Sequence, residues 1–270
     1  MLLGDEMGVG KTVQAIGLAY LYKNDWPLLI VTPASLKFTW RDELLNWLPS
    51  LRPCDIQLFK KGSEPINLDS CVFIMSYDLA TRRFIDLQQK EFKAVIADEA
   101  HYLKSRDSKR SKNLIPILSS ARRVILLSGT PVLNKPVEIY NLMRIIRPDV
   151  TPSFKDFTNR YCNPKSTHYG MDYSGATCTQ ELHHLLQSTF MVRRLKKDVL
   201  DQLPDKRRQM IEIAVDQKLL KEINEVLAQM RGQTSLADEQ GPLAALQQII
   251  SVKKAGPEGA SSFEDYMSGL

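Results

Sequence analysis

The segment Gly8-Val9-Gly10-Lys11-Thr12 follows the apolar pair Leu2-Leu3 and opens a run with Val13, Ile16 and Tyr20 at helical spacing. A strand, a glycine-rich loop and a helix N-terminus, in that order, form the setting in which a Gly-Lys-Thr triplet holds phosphate. Gly8 and Gly10 let the backbone bend so that N–H groups point inward at phosphate oxygens. The helix dipole adds partial positive charge at the same place. Lys11 can then reach the β- and γ-phosphates, and the Thr12 hydroxyl can ligand Mg²⁺. The stretch Asp5, Glu6, Met7, Gly8, Val9, Gly10, Lys11 and Thr12 is therefore the candidate nucleotide loop, with ATP and Mg²⁺ as its ligands. The strict pattern G-x-x-x-x-G-K-[ST] wants a glycine at position 5, where this chain has Asp5.

A second cluster, Ala94-Val95-Ile96-Ala97-Asp98-Glu99-Ala100-His101, delivers two adjacent carboxylates from the end of an apolar strand. Beside a triphosphate such a pair divides the work: Asp98 holds Mg²⁺ and Glu99 orients or deprotonates the attacking water. Asp98 and Glu99 are the expected catalytic acids, with Thr12 and Asp98 the expected metal contacts. His101 reads equally as a link to the rest of the site or as a packed structural histidine. A third cluster, Val124-Ile125-Leu126-Leu127-Ser128-Gly129-Thr130-Pro131, runs a strand into hydroxyls and a glycine turn. Alone it would be an ordinary strand ending; as the third strand-end motif in order, it does not stand alone.

Something must hold these strand ends together. Short apolar runs recur at Leu28–Val31, Val72–Met75, Ala94–Ala97 and Val124–Leu127, with Leu2-Leu3 as the end of another. Helical patterns fall between them, as at Lys11–Tyr22 and Ser35–Trp47. Alternation of this kind predicts an α/β fold with a mostly parallel sheet flanked by helices and its ligands at the carboxyl ends of the strands. Residues 1–150 are expected to form this nucleotide-binding lobe. Thr151–Thr179 is rich in Pro, Gly and aromatics and shows no evident strand, so residues 151–215 read as an insertion leading into a helical, basic segment. Helical patterns resume at Gln180–Phe190 and Gln217–Met230, giving a helical extension over 216–250. The composition of residues 251–270 predicts disorder.

With 270 residues the chain can bury a substantial core. No apolar run is long enough to cross a bilayer, and the N-terminus lacks the basic and apolar regions of a secretory signal. The four cysteines, Cys54, Cys71, Cys162 and Cys178, are far apart and read as free thiols in a reducing compartment. A net charge of +5 decides little; the local clusters Lys104–Lys112, Arg193–Lys197 and Lys206–Arg208 matter more, each a solvated face unless its surroundings say otherwise.

Taken in order, D-E-x-G-x-G-K-T, D-E-x-H and S-G-T-P resemble the first RecA-like lobe of superfamily 2 helicase-like enzymes of the DEAH-box kind. Asp5-Glu6-Met7-Gly8-Val9-Gly10-Lys11-Thr12 resembles more narrowly the Swi/Snf-type DNA translocases, where aspartate takes the place of the first loop glycine. Thr32-Pro33-Ala34-Ser35-Leu36 with Trp40, Met75-Ser76-Tyr77-Asp78, Pro131-Val132-Leu133-Asn134, Arg193–Val199 and Leu203-Pro204-Asp205-Lys206 match as well, so the resemblance covers about residues 1–215. Trp26–Val31, Phe38-Thr39-Trp40, Arg160-Tyr161-Cys162 and Asp172–Gly175 are most similar to the annealing-helicase, HepA-related subgroup. The resemblance implies a nuclear protein with DNA-stimulated ATP hydrolysis, acting on duplex or branched DNA without sequence preference, rewinding strands and remodelling stalled forks in DNA repair. It implies that Ser128, Gly129 and Thr130 couple ATP to DNA. It implies roles for Arg193, Arg194, Lys196 and Lys197 near DNA phosphates or the lobe interface. It also implies a second RecA-like lobe that supplies an arginine finger. No second set of motifs follows residue 215, so the expectation is one lobe of a larger motor, poorly active alone. A module that binds nucleotide or DNA without turnover is the main alternative, and a P-loop phosphotransferase a distant third.

Overall fold

The computed structural model describes residues 1–129, 135–168 and 170–199. Its central feature follows from the apolar runs, which have no polar face and so must be covered on both sides. They pair as β1 (Leu2–Leu3), β2 (Leu28–Thr32), β4 (Val72–Ser76), β5 (Ala94–Ala97) and β6 (Arg123–Leu127), joined at the edges by β3 (Ile56–Leu58) and β9 (Met191–Val192). Among the described residues the sheet has seven strands in the order β3-β4-β2-β5-β6-β1-β9, every pairing parallel.

Alternate residues of each strand feed opposite faces. Leu3, Leu28, Ile30, Ile74, Ile96 and Leu127 pack beneath α1 (Lys11–Leu21) and α2 (Lys37–Trp47), against Ile16, Ala19, Trp40 and Leu44. Leu2, Leu29, Val31, Phe73, Val95 and Leu126 point the other way. There they meet α3 (Tyr77–Arg82), α4 (Phe84–Lys90), α5 (Lys109–Ser120) and α6 (Tyr140–Ile146). This is the two-faced parallel sheet expected from the sequence.

The stretch after residue 150 is more ordered than its composition suggests. It holds α7 (Phe154–Tyr161), an antiparallel hairpin of β7 (Lys165–Thr167) and β8 (Gly170–Asp172), and α8 (Thr179–Thr189). The two hairpin strands are exposed throughout, so they lack the apolar alternation by which a strand is read, and the expectation of no strand there is corrected. Phe157, Leu182, Leu186 and Phe190 join the same core as α3–α6. A last helical turn, α9 (Lys196–Val199), follows β9. The helix read at Gln217–Met230, the tail at 251–270 and the basic cluster Lys206–Arg208 lie outside the described residues. Among the described residues no helix is long and apolar enough to cross a membrane, and all four cysteines are free thiols.

Candidate nucleotide site

β1 and β5 both pair with β6, in parallel. Strands in a sheet lie about 4.8 Å apart, so the strand carrying the phosphate loop and the one carrying the acids are roughly 10 Å apart. Leu2, Leu126 and Ala97 share one register row. The loop after Leu3, the Ser128-Gly129 turn and Asp98-Glu99 therefore leave the sheet at one level on its carboxyl edge. A triphosphate with its metal spans such a gap.

The loop bends where its glycines allow it. Gly8 has φ +87° and Gly10 φ +83°, left-handed values that cost other residues about 1–2 kcal/mol each. Gly10 is the N-cap of α1 and brings no side chain to cap it, so the first-turn amides around Lys11 and Thr12 stay open to an anion. Lys11 Nζ donates to the carbonyl oxygens of Asp5 at 2.8 Å and Glu6 at 3.2 Å. An ammonium has three donors, so one N–H remains for a phosphate oxygen. Met7 is exposed and lies against Gly129: a methyl built there would come within 2.8 Å of Met7 Cγ and 3.6 Å of Lys11 Nζ. Ser128, buried, donates its backbone N–H to the Leu3 carbonyl at 3.1 Å. The third motif thus touches the first. Thr130 lies outside the described residues.

Asp98 is braced from several directions. Its N–H donates to the Val31 carbonyl at 2.8 Å, and the Tyr77 hydroxyl donates to its carbonyl at 2.7 Å. Tyr77 is buried and stacked on Tyr102, centroids 5.1 Å apart; burial first, then the nearby Asp98 charge, pushes its phenol well above the ordinary value, so it remains a donor. On the carboxylate, Thr32 Oγ1 at 3.1 Å and Trp40 Nε1 at 2.8 Å both donate to Oδ2. The Glu99 N–H donates to Oδ1 at 2.9 Å. Each carboxylate oxygen accepts two hydrogen bonds, which leaves one position, on Oδ1, for a metal ion or its water. Together with Thr12 on the first turn of α1, this suits Mg²⁺, which takes one or two protein oxygens plus phosphate and water.

Glu99 has a left-handed backbone, φ +50° and ψ +52°, an unfavourable state for a residue with Cβ that turns the chain sharply after Asp98. Its Oε2 lies 3.1 Å from His101 Nδ1, outside hydrogen-bond geometry, and that nitrogen is buried without a hydrogen-bond partner among the described residues.

The carboxylates of Asp5 and Glu6 are both engaged by the segment that follows β9. Asp5 is fully buried and accepts from Arg194 N–H at 2.8 Å, Nε at 3.2 Å, Nη2 at 2.5 Å and Gln14 Nε2 at 3.1 Å. Burial would raise this carboxyl, but the bonds from Arg194 and Gln14 outweigh it and hold it below the usual value; the Arg194 guanidinium is raised in turn, chiefly by its bonds to Asp5. Glu6 Oε2 accepts from the Lys196 N–H at 2.9 Å. Arg194 is therefore engaged on the nucleotide loop, and Lys196 lies over Gly8, where an added methyl would meet its Cε at 3.2 Å. Lys197 is exposed, and Arg193 Nη1 is buried without a partner among the described residues. Sequence reasoning missed Gln14 and gave no role to Thr32 or Trp40. A buried tryptophan needs a partner for its N–H, a signal that could have pointed to a nearby acceptor.

The other basic cluster flanks a cleft of about 580 Å³ lined by Lys104, Arg106, Lys135, Tyr140 and Phe154 among others. Lys104 pairs with Glu138 at 3.2 Å, and Arg106 lies over the Phe154 ring at 4.4 Å.

Comparison with known proteins gives the family and the fold. The family model described as SNF2-related domain matches residues 1–254. The chain is 44% identical over 215 residues to the Xenopus tropicalis SWI/SNF-related matrix-associated actin-dependent regulator of chromatin subfamily A-like protein 1, covering 79% of this chain and 22% of that protein. It is 43% identical over 232 residues to the human DNA annealing helicase and endonuclease ZRANB3, covering 83% and 21%. The chain thus spans about a fifth of the length of these curated relatives. Its fold matches that of the Sulfolobus solfataricus SWI2/SNF2 ATPase core in complex with dsDNA, with a TM-score of 0.62 and 23% identity over 96% of this chain and 56% of that one. The fold, the ordered motifs and the family match agree, and the chain belongs to the SNF2-related domain family.

Proposed function

We propose that the chain is the ATP-binding lobe of a DNA-dependent ATPase that moves on duplex or branched DNA and rewinds or remodels it at replication forks in the nucleus. The observation that carries the reading is the common level at which the phosphate loop, Asp98-Glu99 and Ser128-Gly129 leave the sheet, with one strand between the first two. The names of the relatives, a chromatin regulator and an annealing helicase, support the DNA side.

In this reading the open amides of α1 and the third N–H of Lys11 bind the β- and γ-phosphates. Thr12 and the free position on Asp98 Oδ1 would hold the metal, directly or through water. Bound Mg²⁺ would offset charge on the transferring phosphoryl group. Glu99 accepts the proton of the attacking water as its oxygen bonds to the γ-phosphorus and the bond to the β-phosphate oxygen breaks, releasing ADP and phosphate. Ser128, Gly129 and Thr130 relay the state of the site, since a methyl at Gly129 would meet Met7 Cγ at 2.8 Å and lie 3.6 Å from Lys11 Nζ. A second RecA-like lobe completes the site with an arginine finger, commonly worth about 10³–10⁵ in rate. Lys104, Arg106 and Lys135 are suited to DNA phosphates, which position without reading sequence.

Binding of ATP and forked duplex to this chain, measured beside phosphate release, tests the reading. The expected result is Mg²⁺-dependent ATP binding with little turnover, DNA present or not. Turnover strongly stimulated by DNA in this chain alone would contradict the need for a second lobe. Absence of any ATP binding would remove the nucleotide reading itself. A binding module without turnover remains the second reading, favoured if the chain joined to a family second lobe also fails to hydrolyse ATP.

A further inference from the structure

A carboxylate within a phosphate loop repels the ligand that the loop is meant to hold. Asp5 stands where the strict pattern has glycine, and it is fully buried. Its four acceptor positions are filled by three donors of Arg194 and one of Gln14. The Arg194 guanidinium cancels the charge, and its planar fork makes the contact directional. Gln14 extends the grip, because its Nε2 also donates to the Val9 carbonyl at 3.1 Å and its Oε1 accepts from Arg194 Nη2.

The backbone ladder runs in the same direction. Leu2 N–H donates to the Phe190 carbonyl at 2.9 Å, Gly4 to Val192 at 2.7 Å and Glu6 to Arg194 at 3.0 Å, so the pairing of β1 with β9 continues beyond both strands into the loop. Lys196 then donates its N–H to Glu6 Oε2 and lays its side chain on Gly8, with Nζ 3.4 Å from where a Cβ would stand. Lys196 as a residue is half-buried, and its ammonium has no hydrogen-bond or ion-pair partner among the described residues.

We propose that Arg194 and Asp5 form a clasp that sets the shape of the phosphate loop, with Lys196 as a second cation for the bound phosphates. Resting on the nucleotide reading above, this makes the limb from Arg194 to Lys196 a wall of the ATP site in place of a DNA contact. Arg194 is a positioning residue: it acts on phosphate through the loop. Lys196 acts on it directly.

The test compares the chain with Arg194→Gln, Arg194→Lys, Lys196→Met and the paired Asp5→Asn/Arg194→Gln variant. For each, affinity for a fluorescent ATP analogue, affinity for forked duplex and melting temperature are measured. The paired variant leaves no unpaired buried charge, so it folds even where Arg194→Gln does not. Expected is a loss of nucleotide affinity of about tenfold in Arg194→Gln and the paired variant, with partial recovery in Arg194→Lys. Lys196→Met is expected to lose severalfold with its melting temperature unchanged. Parental nucleotide affinity in both the paired variant and Lys196→Met overturns the clasp, and a selective loss of DNA affinity would assign the limb to DNA instead. Failure of the parent chain to bind the analogue is a separate outcome and removes the nucleotide reading together with this one.

Discussion

Trp40 donates its indole N–H to Asp98 Oδ2 at 2.8 Å, tying the helix after β2 to the carboxylate at the end of β5. Trp40 is buried, and Thr32 donates to the same oxygen. Both oxygens of Asp98 are thereby oriented before any ligand arrives, with a single acceptor position left on Oδ1. Hydrogen bonds to charged groups contribute about 1.5–3 kcal/mol. Trp40→Phe removes the donor and keeps an aromatic ring in the same place, at the cost of part of the packing. The expected outcome is an approximately tenfold higher Mg²⁺ requirement for ATP binding with little change in metal-free nucleotide affinity, read from a Mg²⁺ titration. A Mg²⁺ requirement equal to the parent's would mean the indole only fills space.

Gly129 has no room for a side chain on the Met7 side. Gly129→Ala must displace Met7, which is exposed and has an unbranched side chain that can re-pack, so the fold is expected to tolerate the change while the phosphate loop shifts. Nucleotide affinity is expected to fall severalfold and to recover when Met7→Ala is added, giving a coupling of about 0.5–3 kcal/mol in the double-mutant cycle. Strictly additive effects would separate the third motif from the loop.

Asp5 carries a pH signature. Its carboxyl is held below the ordinary value in the fold, against about 3.9 in an unfolded chain. A depressed folded value means stability that is fully present above the unfolded value and lost as pH falls through the folded one. Melting temperature should therefore drop more steeply below about pH 4 in the parent than in Asp5→Asn. Identical acid slopes would show that Arg194 does not hold the carboxylate in its charged form.

Gly8 tests the loop from another side. With φ +87° and Lys196 pressed on its Cβ position, Gly8→Ala should cost about 1–2 kcal/mol of stability and displace the ammonium. A thermal melt at parental temperature would mean the loop relaxes at no cost.

Much of the fold could be read along the chain. The runs at Leu28, Val72, Ala94 and Val124 became parallel strands because each is apolar on both faces and bounded by helical patterns. The two-residue strand β9 could not be read, since Met191–Val192 has no periodicity and is defined only by its partner β1. The hairpin Lys165–Asp172 escaped for a different reason: exposed strands bury nothing that a pattern could reveal. At the site, the loop glycines, Lys11 and the two acids announced themselves by type and spacing. Their supports did not. Arg194 reaches Asp5 across 189 residues and Trp40 reaches Asp98 across 58, and no local spacing encodes such pairs. Asp5 showed in the sequence as a departure from glycine; that it recruits Arg194 is a fact of the folded sheet.

The arrangement of the phosphate loop and Asp98 around one metal ion is tested most directly by a crystal structure of the chain with Mg²⁺ and a non-hydrolysable ATP analogue. The expected density places the β- and γ-phosphates on the first-turn amides of α1 with Lys11 Nζ on them. Mg²⁺ should lie about 2.1 Å from Thr12 Oγ1, with Asp98 Oδ1 bound directly or through one water. Phosphates seated elsewhere, or a metal ion that Asp98 does not touch even through water, would contradict it.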